Sequence, residues 1–214
     1  MAYTQNYGIA PSSPPEAISR CLADLTKVAM HGYLAGELAG PPVPGASHRF
    51  VHALSPEVTP EHVIFSGAPE RNPRGTSFHF PPPDYGSPLV VKALAAGVTD
   101  GLYEDPDSGD YVSLYHGSVY HDTNTHLLPF DSYVVAALLL VRDHLGEFAW
   151  ISSDGFADWG KMPGGFNPED HYVKGRQIVQ ECCGYLPNDI HEGPTDIRAV
   201  LGQPSGPAAD LGVD

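Results

Sequence analysis

The chain has 214 residues, with 26 Asp and Glu against 11 Lys and Arg and a formal charge of −15. Its summed field therefore repels phosphate backbones and anionic lipid surfaces at neutral pH, and contact with either needs a local basic patch. Hydrophobic residues make 42% of the sequence, which excludes a disordered chain, while 23 Gly and 22 Pro predict many turns.

Residues 1–12 read as an irregular N-terminal arm. Ser13, with Glu16 three positions later and Pro14 and Pro15 between them, has the signature of a capping box at a helix start. From there Ile18, Cys21, Leu22, Leu25, Val28, Ala29 and Tyr33 recur at helical spacing, so an amphipathic helix is expected to bury its Ile18, Leu22 and Leu25 face. Short strand-like runs follow at His48–Leu54, His62–Ser66 and Thr76–Phe80, punctuated by Pro and Gly. Ser87 and Pro88 open a second helix that Gly97 closes. The segment LYEDPDSGDYVSLYH, Leu102 to His116, reads as a β-hairpin with DPDSGD as its loop.

The polar stretch HGSVYHDTNTH leads to the longest apolar run, Tyr133 to Val141. At nine residues it is far short of the about 20 that cross a bilayer. Val134, Val135 and Val141, together with the turn-like RDHLGE and the apolar Phe148–Ile151 beyond it, predict a buried strand in a central hairpin. Asn167 and Pro168 open a third helix, with Tyr172, Val179, Cys182 and Cys183 on one face and Gly184 as its stop signal. The vicinal cysteines read as small core residues. Three cysteines, two of them adjacent, fit free thiols in a reducing compartment, and no leader-like segment opens the chain, so a cytoplasmic location is expected.

The fold class predicted from these elements is α+β: a small mixed or antiparallel sheet with three amphipathic helices and many Pro/Gly loops. The arm spans residues 1–12, one domain spans 13–185, and a Pro/Gly/Ala-rich tail spans 186–214.

Four groups of residues carry candidate chemistry. His116, His121, Asp122 and His126 have the imidazole and carboxylate donors that suit zinc or non-haem iron, although their spacing matches no standard ligand motif and a polar loop is the plainer reading. Arg71 with Arg74, and Lys174 with Arg176, are the concentrated positive charges and the candidate phosphate contacts. Leu114 to Ser118, LYHGS, resembles the histidine motif of some ADP-ribosyltransferases. The tyrosine and glutamate that complete that site cannot be assigned, so the pentapeptide reads as a strand end with a turn. The stretch from Tyr133 to Gly184, with DWGKMPGG and RQIVQECCG, resembles a Nudix hydrolase in outline. At that family's magnesium-binding positions this chain carries His171, Val179, Gln180, Cys183 and Gly184, and a shifted frame keeps only Arg176 and Glu181. No catalytic residue and no cofactor is assigned.

Pro, Ala and Ser make about a quarter of the chain, gathered in APSSPPEA, GPPVPGAS and GQPSGPAAD. That composition resembles the Pro-Ala-Ser-rich proteins of polymycoviruses, which are thought to coat a double-stranded RNA genome. The resemblance implies a non-enzymatic, self-associating coat-like structural protein, homo-oligomeric, with double-stranded RNA as partner and no membrane, working in the host cytoplasm or the virion. The net charge departs from what a genome coat should present. The alternative is a Nudix-like hydrolase, degenerate at its metal site, acting on a nucleoside diphosphate derivative.

Overall fold

The apolar run from Tyr133 to Val141 forms a helix and not the expected strand. In the computed structural model, which describes residues 4–44, 50–68, 76–125, 128–153 and 168–187, it lies within a helix from Asp131 to Leu145 whose residues Tyr133 to Val141 are all buried. Leu and Ala are strong helix formers, and here the helix is covered on every side, so no polar face interrupts the run.

In chain order the elements are β1 (Thr4–Ile9), α1 (Pro15–Leu34), β2 (Leu38–Ala39), β3 (Pro42–Pro44), β4 (Phe50–His52), β5 (Glu57–Val58), β6 (Val63–Gly67) and β7 (Ser77–Phe80). Then come α2 (Pro88–Ala95), β8 (Gly101–Glu104), β9 (Tyr111–Tyr115), β10 (Ser118–Asn124), α3 (Asp131–Leu145), β11 (Ala149–Ser153) and α4 (Pro168–Cys183). The class is α+β, and the sheets are antiparallel. The largest has five strands in the order β11-β1-β10-β9-β8. In the second, β6 pairs with β7 on one side and with β2 and β5 on the other. β3 and β4 form a separate two-stranded ribbon.

β1 corrects the reading of residues 1–12 as an arm. Thr4–Ile9 is an interior strand, paired along its length with β10 and over Gln5–Ile9 with β11. Its three polar residues Thr4, Gln5 and Asn6 conceal the alternation that places Tyr7 and Ile9, both fully buried, on the inner face.

α1 buries Ile18, Leu22 and Leu25 as its spacing predicts. Its cap differs from the expected box: the N-cap is Pro14, and the Ser13 hydroxyl donates back to the Ala10 carbonyl at 2.6 Å and not to the helix. α2 starts as expected, with the Ser87 hydroxyl accepting from the Leu89 N–H at 3.2 Å. The hairpin β8–β9 also forms as predicted, whereas HGSVYHDTN, taken as a polar connector, supplies β10.

α3 packs against α1 and α4 on one side and against β1 and β11 on the other. Tyr7 of β1 stacks on Phe78 of β7 at 5.3 Å between centroids, and Phe78 on Phe65 of β6 at 5.0 Å, so both sheets share one core. α2 closes the other end of the inner face, where Val90 and Ala93 meet Val112, Leu114 and Val119. The inner face of the five-stranded sheet is thus covered from end to end.

Candidate interaction face on the five-stranded sheet

Strand alternation sends every second side chain to the opposite face of this sheet. On β9 the buried Val112 and Leu114 point inward, which sends the exposed Tyr111, Ser113 and Tyr115 outward. Register extends that outer face across the sheet: Leu102 of β8 opposes Ser113, Glu104 opposes Tyr111, and Tyr120, Gly8 and Trp150 form one row through β10, β1 and β11. Within that row Gly8 and Trp150 are buried, Trp150 at 7% exposure against Ala10, Tyr120 and Phe148, and Tyr120 is half-buried.

At the end of the β9–β10 hairpin the chain turns on His116 and Gly117, with φ of 50° and 73°. Positive φ at both central residues is the signature of the tight turns that match strand twist, and a histidine tolerates it better than a β-branched residue. Asp100 steadies the turn, its Oδ1 accepting from the His116 N–H at 2.8 Å. The turn sets Tyr115 beside Trp150, with ring centroids 4.7 Å apart and planes inclined at 54°. Tyr120 stands 6.3 Å from both rings. Gly8 lies between Tyr120 and Trp150 in the register, so no side chain separates them. A Cβ there would come within 2.3 Å of the Ser118 hydroxyl oxygen.

The rings wall a cleft of about 310 Å³ that also includes Asn6, Gly101 and Ser113. The Tyr120 hydroxyl donates to Asn6 Oδ1 at 2.7 Å, which fixes the amide and leaves its N–H groups as the donors it can offer. Among the described residues no charged side chain lines the cleft. Beyond it the outer face carries Leu102 and Tyr111, 65% and 70% exposed. The arrangement can stack flat apolar rings and donate hydrogen bonds from side-chain amide and hydroxyl groups. It offers no nucleophile–base pair.

The candidate metal ligands are not brought together. His116 sits at the hairpin turn, while His121 and Asp122, adjacent on β10, point to opposite faces. His121 faces inward, its Nε2 3.3 Å from the Ser77 carbonyl oxygen and its ring 4.9 Å from that of His79. Asp122 is exposed on the outer face, and His126 lies outside the described residues. Among the described residues no group of three or more His, Cys, Asp or Glu could hold a metal.

The basic pairs fare similarly. Arg71 and Arg74 lie outside the described residues. Lys174 is exposed, but Arg176, two positions on and so on another side of α4, is half-buried and donates from Nη2 to the Pro187 carbonyl at 3.3 Å. LYHGS is a strand end with a turn. The strand pair in the Nudix outline is replaced by α3 followed by the single strand β11, and Glu181 on α4 lies 3.7 Å from His31 Nε2 on α1.

All three cysteines are free. Burial raises the Cys21 thiol well above its ordinary value and pushes that of Cys183 up to about 12, so both stay protonated and poorly nucleophilic. Cys182 and Cys183 pack against the core, as their place on the helix suggested. Sequence reasoning missed the outer aromatic face. The alternation in YVSLY and SVYHDTN carried a signal for it, but grouping Tyr115, Tyr120 and Trp150 requires the pairing of β1 with β10 and β11. No protein family, curated protein or solved structure matches this chain.

Proposed function

We propose that this chain is a non-enzymatic, self-associating structural protein of the coat-like kind, with the outer face of its five-stranded sheet as the contact surface. The observation that carries the reading is the exposed part of that face: Leu102, Tyr111 and Tyr115 are 65%, 70% and 42% exposed, next to the half-buried Tyr120. Exposed Leu102, Tyr111 and Tyr115, interleaved with Ser113 and Glu104, support an interaction site, because aromatic rings are enriched at the centres of such contacts. Its location would be the cytoplasm or an assembled particle. Double-stranded RNA is the partner that the resemblance to Pro-Ala-Ser-rich proteins supplies. Lys174 is its exposed candidate contact, with Arg71 and Arg74 beyond the described residues.

Light scattering coupled to size exclusion, run over a concentration series, tests the reading. The wild-type chain is expected to give a multimer whose mass falls on dilution, and Leu102→Glu/Tyr111→Glu to give a monomer with an unchanged circular dichroism spectrum. A wild-type monomer at every concentration, or a double variant that assembles as well as wild type, would overturn it. Repeating the run with double-stranded RNA while following the 260/280 absorbance ratio tests the genome partner. Co-elution that salt abolishes supports it, and separate elution at low salt removes it.

A further inference from the structure

The contact surface has an uncharged, aromatic-walled cleft at its centre, and its chemistry selects the occupant. A single-stranded nucleic acid would use such rings for stacking but also needs a cationic track for its phosphates, and the residues lining this cleft are Asn6, Gly101, Ser113, Leu114, Tyr115, Tyr120 and Trp150. Proline-rich segments need less: aromatic walls that take pyrrolidine rings and neutral donors for the exposed backbone carbonyls, with no phosphate charge to neutralise. Tyr115, 42% exposed, and the half-buried Tyr120 supply the walls, with the buried Trp150 packed against Tyr115 at 4.7 Å, and the Asn6 amide and Ser113 hydroxyl supply the donors.

The chain carries such a segment itself. Pro204-Ser-Gly-Pro207 places two prolines three residues apart, and a polyproline II helix repeats every three residues, which sets both rings on one edge about 9 Å apart. The other Pro-rich segments are already used: Pro14 and Pro15 open α1, Pro42–Pro44 forms β3 paired with β4, and Pro81 to Pro83 follow β7 against the core residue Phe80. Pro204 to Pro207 lie outside the described residues, in an uncharged run from Ala199 to Ala209. Arg198, just upstream, is the sole Lys or Arg after Arg176. It complements the acidic border of the cleft, where exposed Asp122 opposes Asn6 in the register.

We infer that the aromatic cleft of one copy binds the Pro204–Pro207 segment of a second copy. The inference rests on the self-association proposed above and names its contact. Cleft and segment are different surfaces, so the contact is head-to-tail and propagates into rings or open assemblies instead of stopping at a symmetric dimer.

Two full-length variants test it by complementation. Tyr115→Ala damages the cleft and leaves the segment intact, and Pro204→Ala/Pro207→Ala does the reverse. Each alone is expected to self-associate about tenfold more weakly than wild type, the scale of one anchoring side chain. Mixed in equal amounts they are expected to form a complex that stops at two chains, because only one productive cleft–segment pair exists. A labelled peptide of residues 198–209 should bind the Pro204→Ala/Pro207→Ala chain and not the chain that also carries Tyr115→Ala. If wild type assembles and Pro204→Ala/Pro207→Ala assembles equally well, this inference falls while the coat-like reading stands. If wild type is monomeric and the mixture yields no complex, both fall. If the peptide binds but the mixture stays monomeric, the segment docks on its own chain and the second-copy contact is overturned.

Discussion

At the scale of single residues, the clearest pH response comes from His79 and His121, packed with ring centroids 4.9 Å apart. Burial first, and then the neighbouring His121, lowers His79 from its ordinary 6.5 to about 4, while Glu57 partly opposes this. The folded chain therefore holds this ring neutral, and the unfolded chain takes up the proton more readily. Stability from this group is complete above about pH 6.5 and is lost as pH falls toward 4. Because the ring is partly exposed, the loss at pH 5 relative to pH 7 is on the order of 1 kcal/mol. Urea denaturation at the two pH values measures it. His79→Gln should shrink the difference, and an unchanged difference would count against the assignment. The buried Asp131 carboxyl, its pKa raised by burial, responds in the opposite sense and loses stability as pH rises; it accepts from Gln5 Nε2 at 3.1 Å and from the Thr125 hydroxyl at 2.6 Å. Neither cluster was legible in the sequence, where Gln5 and Asp131 are 126 positions apart. The donor types of His116, His121, Asp122 and His126 made a metal site a candidate beside the plainer polar loop, and alternation on β10 separates His121 from Asp122.

At the scale of elements, α3 decides the fold through how closely its neighbours approach. Gly175 on α4 lies against it, and a Cβ there would come 2.8 Å from Val135 Cγ1 and 3.1 Å from both the Ala136 nitrogen and the Ser132 carbonyl oxygen. Gly175→Ala is therefore expected to force the helices apart and cost about 1–3 kcal/mol despite the better helix propensity of alanine. A gain in the midpoint of chemical denaturation would show that the crossing is looser than this. The elements legible in the sequence are those with two environments. α1 alternates core and solvent every turn, α2 carries its Ser-Pro start and Gly stop, and β8–β9 surrounds a loop of strong turn formers. α3 was misread because it has one environment only. A helix buried all round loses its period, and a nine-residue apolar run then looks like a strand. β1 was missed for the complementary reason: Thr4, Gln5 and Asn6 are polar, and what makes them a strand is the pair of partners that flank it.

At the scale of the whole molecule, the proposed self-association brings together copies that each carry a charge of −15, so it has to overcome their own repulsion. Raising salt from about 20 mM to about 300 mM screens that repulsion, so self-association should tighten. RNA binding through Lys174 or the arginines should weaken over the same range. Sedimentation velocity at the two ionic strengths separates these trends, and weaker self-association at high salt would argue for ion-paired contacts instead. The position of β1 has a further consequence, for biosynthesis. Thr4–Ile9 leaves the ribosome before both of its neighbours in the sheet, which come from residues 118–153. Until that distant sequence is made, Tyr7 and Ile9 have no sheet to join, and the nascent chain carries an unmatched strand while more than a hundred further residues are added. The central sheet therefore closes late and only by long-range pairing, the slow and aggregation-exposed route. A chain interrupted before Ala149 would lack one of the two strands that hold β1 in place.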